Sequence, residues 1–268
     1  MRIDATTRAV VTGASRGIGR AVATALAARG AAVGLLARSE EELTALAREL
    51  GPRAVALPAD VGDREEVRAA VERFIEQAGG LELVVANAGI AHYGPFLAQD
   101  VELVERMTRV NWLGTVYTVD AALGHLIDRA HGHIVIVSSG AGLRAFPWAA
   151  GYGGTKAAQR GFAEALRHEL SGSGVSVTTV FPGEIATALH DHEKASLPDW
   201  YHGGDAAAGV DRLAAAILRG ARARPPGRPP PADRPPARPQ RPRAAGDRRD
   251  PAPPARRHRR ATSRLAHS

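Results

Sequence analysis

From residue 8 to about 220 the chain alternates two patterns. Short, largely apolar runs at 8–12, 32–36, 54–57, 83–86, 133–138 and 175–181 have the length and composition of strands. Between them lie amphipathic stretches of helix length, near 17–29, 40–50, 63–78, 100–128, 151–171 and 206–220. Strands that are apolar on both faces and separated by helices predict a parallel sheet covered on both sides. The expected fold is a doubly wound α/β sheet of the Rossmann type, which takes its ligands at the carboxyl ends of its strands.

The pattern stops near residue 222. Residues 221–268 hold 12 of the 18 prolines, mixed with Arg and Ala, and no aromatic residue. Such a segment cannot bury enough surface to offset its ordering entropy. The expected division is a folded domain at 1–221 and a disordered tail at 222–268. No apolar run follows residue 220 and prolines exclude a central strand, so a seventh strand is missing from the pattern. A tail of this composition is compatible with a natural extension, an electrostatic tether, or a shifted reading frame.

Charge follows the same division. The tail carries 14 Arg and 3 Asp, which leaves 21 of the 35 basic and 25 of the 28 acidic residues for the rest. The net charge of +7 therefore belongs to the tail, and the domain itself is mildly acidic. Nucleic acid is disfavoured as a partner of the domain. The absence of cysteine excludes a disulfide framework and a thiolate metal site. The first apolar run is too short for a secretory signal and no stretch reaches the length of a membrane-spanning helix. The expected location is the cytoplasm.

Two motifs carry chemistry. The first is Thr12-Gly13-Ala14-Ser15-Arg16-Gly17-Ile18-Gly19, between the first strand and the first helix. A helix N-terminus offers free N–H groups to a pyrophosphate, and glycines let the phosphate approach without a Cβ in the way. A plain Gly-rich turn would look the same, so the strand–turn–helix context matters. The second strand then ends at Leu35-Leu36-Ala37-Arg38. An acidic residue there would bind a ribose 2′-hydroxyl, whereas an arginine accommodates a 2′-phosphate. Arg38, with Arg16 inside the turn, favours NADP over NAD.

The second motif is Tyr152-Gly153-Gly154-Thr155-Lys156 at a helix start. Residues i and i+4 share a helix face, and an ammonium beside a phenol favours the phenolate. That is the tuning a proton-transferring group needs. The chain has four Tyr and two Lys, so random placement would give about 0.03 such pairs. Ser138 and Ser139 end the fifth apolar run, and a hydroxyl there can stabilise charge on a substrate oxygen.

The Thr-Gly-x-x-x-Gly-x-Gly spacing, with the Tyr-x-x-x-Lys pair, resembles the short-chain dehydrogenase/reductase family in its common single-domain branch. The resemblance selects Ser139, thirteen residues before Tyr152, as the catalytic serine. It implies that Asn111, in Val110-Asn111-Trp112, holds a water in a proton path to Lys156. It implies that Asp60-Val61 contacts the adenine and that Asn87-Ala88-Gly89 lines the adenosine side. Pro182-Gly183 and Thr187, with Ile185 between them, resemble the segment that holds the nicotinamide carboxamide. It further implies a small-molecule carbonyl or alcohol substrate and a homodimer or homotetramer. The aromatic and apolar residues His92, Tyr93, Phe146, Pro147 and Trp148, and a lid at 188–204, suggest a hydrophobic substrate. The alternative reading is a dinucleotide-binding regulator with little turnover.

Overall fold

The computed structural model describes residues 1–183 and 209–222. These all lie in one compact unit, Met1–Pro230. Ile185, Thr187, the segment at 188–204 and the tail from 223 onward lie outside the described residues.

Six parallel strands form one sheet: β1 (Arg8–Thr12), β2 (Ala32–Ala37), β3 (Ala54–Pro58), β4 (Leu83–Ala86), β5 (Gly132–Val137) and β6 (Val175–Val180). Their spatial order is β3-β2-β1-β4-β5-β6. The helices are α1 (Gly17–Ala27), α2 (Glu40–Leu50), α3 (Arg64–Ala78), α4 (Val101–Met107), α5 (Gly114–Asp128), α6 (Ala150–Glu169) and α7 (Val210–Arg222). Each predicted strand is observed to within a residue at either end. Among the described residues there is no seventh strand, and β6 is the edge. No described helix is long and apolar enough to cross a membrane.

Side chains alternate between the two faces of the sheet, and both are buried. On one face Val10, Leu36, Val84, Ile134 and Ile136 pack with Val71 and Phe74 of α3, Leu126 of α5 and Leu166 of α6. On the other, Val11, Leu35, Val85, Val135 and Val137 pack with Val22 and Leu26 of α1, Leu43 of α2 and Ile217 of α7. The chain runs outward from β1 to β3, returns to β4 beside β1, and runs outward again. The C-terminal ends of β1 and β4 therefore flank the point where the direction of winding reverses, which is where such sheets bind ligands.

One predicted helix is not continuous. The stretch at 100–128 is interrupted by a π-helical segment, Thr108–Leu113, between α4 and α5. Side chains take over part of the backbone bonding around it. Thr108 Oγ1 donates to the Val104 carbonyl at 2.8 Å, and Thr115 Oγ1 donates to the Asn111 carbonyl at 2.8 Å. Apolar periodicity runs straight through a single π turn, so the sequence pattern does not register it.

Candidate active site

The ends of β1 and β4 are tied together by Thr12. Its Oγ1 accepts the N–H groups of Asn87 at 3.0 Å and Ala88 at 3.1 Å. The Asn87 carboxamide donates back to the Thr12 carbonyl at 2.9 Å. Gly13 then turns the chain at φ +65°, and a Cβ there would lie 2.9 Å from Ala88 Cα. A Cβ on Gly19 would run into the Gly13 carbonyl oxygen and lie 2.6 Å from Asn87 Nδ2. Two of the three motif glycines are thus required by the packing of the turn against residues 87–88.

The first turn of α1 is open. Its N-cap Arg16 makes no side-chain cap and no acidic residue lies in the turn. By contrast, Ser39, Asp63 and Asp100 each accept N–H groups at the starts of α2, α3 and α4. Uncapped N–H groups with a positive partial charge suit a diphosphate. Ser15 and Ile18 are half-buried beside this turn, and Arg16 is exposed. Exposed Arg38 follows β2 directly, with Ser39 and not a carboxylate beside it. These residues fit a nicotinamide dinucleotide. After β3, Asp60 accepts the Gly62 N–H at 2.8 Å, which holds the strand-end turn. The Val61 side chain is buried where Gly114 lets α5 approach, so its backbone is the part left to face a ligand.

Helix α6 presents Tyr152, Thr155, Lys156 and Gln159 along one stripe, at i, i+3, i+4 and i+7, and all four are buried. Lys156 Nζ sits 5.7 Å from the centroid of the Tyr152 ring and donates to the Val137 carbonyl at 3.1 Å. Burial away from water pushes its pKa from 10.5 down to about 7. The sequence places a cation beside the phenol; the structure makes that cation one that titrates near neutrality. Tyr93 meets the Tyr152 ring edge-on at 5.5 Å and stacks on Phe146 at 6.1 Å. The Gly94 N–H donates to the Trp148 carbonyl at 2.9 Å and ties the two aromatic loops together. Trp148 itself adopts φ +68°, a strained conformation for a bulky residue.

The two adjacent serines part ways. Ser138 is buried and its Oγ donates to the Lys156 carbonyl at 2.8 Å, which seats α6 on β5. Ser139 is half-buried, and its Oγ caps the Ala141 N–H at 3.2 Å in the turn that packs on the start of α6. Pro182 accepts the Gly140 N–H at 2.8 Å, so the segment after β6 borders the same turn. Gly183 is exposed.

Asn111 is fully buried. Its Oδ1 accepts the Ile90 N–H at 2.8 Å, and its Nδ2 donates to the Ile90 carbonyl at 2.9 Å and to Thr155 Oγ1 at 3.0 Å. The residue before Ile90 is Gly89, where a Cβ would lie 3.3 Å from Asn111 Oδ1 and 3.4 Å from Lys156 Nζ. The lack of a side chain at Gly89 keeps a space shared by these two groups. Sequence reading did not single out Thr155, Gln159 or Ser138. A signal existed for two of them: they continue the Tyr152–Lys156 stripe at helical spacing.

An uncapped helix N-terminus after β1 at the winding reversal and a buried Tyr–Lys pair on α6 against the end of β5 are the parts a dinucleotide-dependent oxidoreductase needs. Residues 7–197 match the short chain dehydrogenase family, and the chain belongs to it. It is 39% identical over 184 residues to glycine betaine reductase ATRR of Emericella nidulans, a match covering 68% of this chain but 14% of that much longer relative. It is 37% identical over 182 residues to an uncharacterized oxidoreductase of Staphylococcus aureus, covering 68% of this chain and 79% of the relative. Among solved structures it resembles an alcohol dehydrogenase from the archaeon Thermococcus sibiricus complexed with 5-hydroxy-NADP. That match has a TM-score of 0.73 and 30% identity, over 81% of this chain and 91% of the other. It also resembles a 3-ketoacyl-(acyl-carrier-protein) reductase from Brucella melitensis complexed with NADH, with a TM-score of 0.73 and 27% identity, over 80% and 90%. The function is NAD(P)-dependent hydride transfer between a nicotinamide and a carbonyl or secondary alcohol. None of these matches supports the regulatory alternative.

Proposed function

We propose that the chain uses NADP to interconvert a hydrophobic carbonyl compound and its alcohol, with Tyr152 exchanging the proton. The observation that carries this reading is the burial of Tyr152 and Lys156 side by side, 5.7 Å from ring centroid to Nζ, on a helix facing the strand ends. When bound, the nicotinamide supplies or accepts the hydride. Ser139 and Tyr152 hold the substrate oxygen by hydrogen bonds and stabilise charge developing on it. In the reductive direction the Tyr152 hydroxyl donates its proton to that oxygen, and Lys156 restores it. One of the two acceptor positions of Asn111 Oδ1 is taken by Ile90, and the other faces the space beside Gly89 that Lys156 Nζ also borders. That space suits a water that hands protons on to Lys156.

NADP is favoured by Arg38 and Arg16 together with the lack of a carboxylate after β2. Thr12, Gly13, Ser15, Gly17, Ile18 and Gly19, with Asp60, Val61, residues 87–89, Pro182 and Gly183, are the residues that would hold the dinucleotide, and Ile185 and Thr187 follow them in sequence. The stacked rings of Tyr93 and Phe146 beside Tyr152 favour a substrate with apolar flanks. The catalytic domain is 1–221, pairing with further copies through α5 and α6, and 222–268 is a tail outside it. The test is Tyr152→Phe. Turnover of a panel of ketones and aldehydes should fall by at least a thousandfold while the NADPH dissociation constant stays within about twofold. Retained reductase activity in that variant removes Tyr152 from the chemistry.

A further inference from the structure

The stripe on α6 does not end at Lys156. Gln159 follows it by three residues and is fully buried. Its Nε2 donates to the Asn111 carbonyl at 2.8 Å and to Thr115 Oγ1 at 2.6 Å. Both of its N–H bonds are thus committed to the π-helical segment and the first turn of α5. Its Oε1 is buried and has no partner among the described residues. A buried, unsatisfied carbonyl costs about 1–3 kcal/mol, so an apolar side chain of similar volume is the better choice for stability alone. The glutamine must therefore be explained by what its amide holds.

What it holds leads back to Lys156. The carbonyl it captures belongs to Asn111. The Asn111 carboxamide clamps both backbone groups of Ile90 and the hydroxyl of Thr155. Thr155 in turn donates to the Tyr152 carbonyl at 2.8 Å. Gly89, next to Ile90, stands at the meeting point of Asn111 Oδ1 and Lys156 Nζ. Thr155 and Gln159 bracket Lys156 along the helix and reach the same asparagine from two sides.

We propose that Gln159 is a positioning residue for the proton-transferring pair: it locks the Asn111 π turn to α6, and so fixes the wall of residues 89–90 that faces Lys156. The inference rests on the oxidoreductase reading of the Tyr152–Lys156 site. Gln159 is buried against Asn111 and Thr115 and acts through Asn111. Loss of its amide frees the Asn111 carbonyl from α6, lets residues 89–90 drift relative to Lys156, and lowers the rate of proton exchange. Misplacement of a catalytic wall by about an ångström lowers rates by up to a hundredfold.

The test uses Gln159→Met, with Gln159→Leu as a second variant in case one packs badly. Three quantities are read on the full chain: thermal midpoint, hydrogen–deuterium exchange at the Ile90 amide, and kcat with KM for NADPH. The expected result is a midpoint equal to or above that of the parent, exchange at Ile90 faster by about tenfold, and kcat lower by about tenfold with KM for NADPH within twofold. A purely structural glutamine gives the opposite sign of midpoint change and a loss of activity that follows it. Unchanged exchange at Ile90 overturns the brace, and faster exchange with unchanged kcat overturns its role in catalysis. Failure of the oxidoreductase reading shows separately, as a parent chain that turns over no carbonyl substrate, and the exchange measurement still decides whether Gln159 holds Asn111.

Discussion

Replacing Lys156 by Met should make the protein more stable at neutral pH while removing its activity. Lys156 is 4% exposed, has no carboxylate partner among the described residues, and is held at about 7 by desolvation instead of 10.5. Each factor of ten in proton affinity is about 1.4 kcal/mol, so confining this amine costs the folded state on the order of 4–5 kcal/mol at pH 7. Its hydrogen bond to the Val137 carbonyl returns about 1–2 kcal/mol. Relaxation around buried charges reduces the remainder further, and apolar replacements of buried ionic groups stabilise by about 1–4 kcal/mol. A gain of about 2 kcal/mol for Lys156→Met follows, which is an increase in Tm of about 4–8 °C for a domain of this size.

The sign depends on pH in a definite way. A lowered folded-state pKa means that the unfolded chain binds more protons between about 7 and 10.5. The stability of the parent therefore rises with pH across that window, and the penalty is complete only below about 7. Thermal or urea unfolding of parent and variant at pH 6.5 and pH 9.5 reads this directly. The variant should lead at pH 6.5, and its lead should vanish and reverse toward pH 10 as the penalty on the parent is lifted. A variant less stable than the parent at pH 6.5, or a gap that does not move with pH, refutes the desolvated state of Lys156.

Two further outcomes are expected. Arg38→Asp should shift the ratio of kcat/KM for NADPH over NADH toward NADH by about 10–100-fold, since a charge-assisted contact to phosphate contributes about 1.5–3 kcal/mol; an unchanged ratio takes Arg38 out of cofactor selection. Gly19→Ala drives a Cβ into the Gly13 carbonyl and against Asn87, so fluorescence titration should show NADPH binding weakened by about tenfold or more, and wild-type affinity in a folded variant contradicts the close packing of this turn.

Most of the sheet was readable because its four inner strands, β2, β1, β4 and β5, are buried on both faces. Continuous apolar runs such as 83–86 and 133–138 have no other place in a chain of this kind, and their ends are marked by Asn87 and Ser139. The sixth run likewise appears as β6, although it is the edge among the described residues. The π turn at Asn111 was not readable, because an inserted residue leaves the apolar faces of α4 and α5 in near register. The two serines were distinguished only by resemblance; their separate duties depend on which one meets the carbonyl of Lys156, a contact between β5 and α6 that no local pattern encodes. The titration of Lys156 near neutrality also depends on depth of burial, which spacing within one helix does not convey.

The N-terminal half of helix α6 reverses the usual rule for a surface helix, while Ala163 and Leu166 farther along pack in the core. Its inward stripe at Tyr152, Thr155, Lys156 and Gln159 is polar, although such a stripe normally supplies apolar burial. The stability lost there must come from elsewhere, and the two apolar layers on either face of the sheet are the available source. Local choices that oppose folding persist where chemistry requires them. Here the requirement is specific. A lysine in water would stay charged and hold the phenol toward phenolate, but would release its own proton only with difficulty at pH 7. A lysine desolvated to about 7 both stabilises a neighbouring phenolate when charged and passes on its proton at the same pH. On the proposed mechanism, the burial that weakens the fold is what would let one residue serve reduction and oxidation alike.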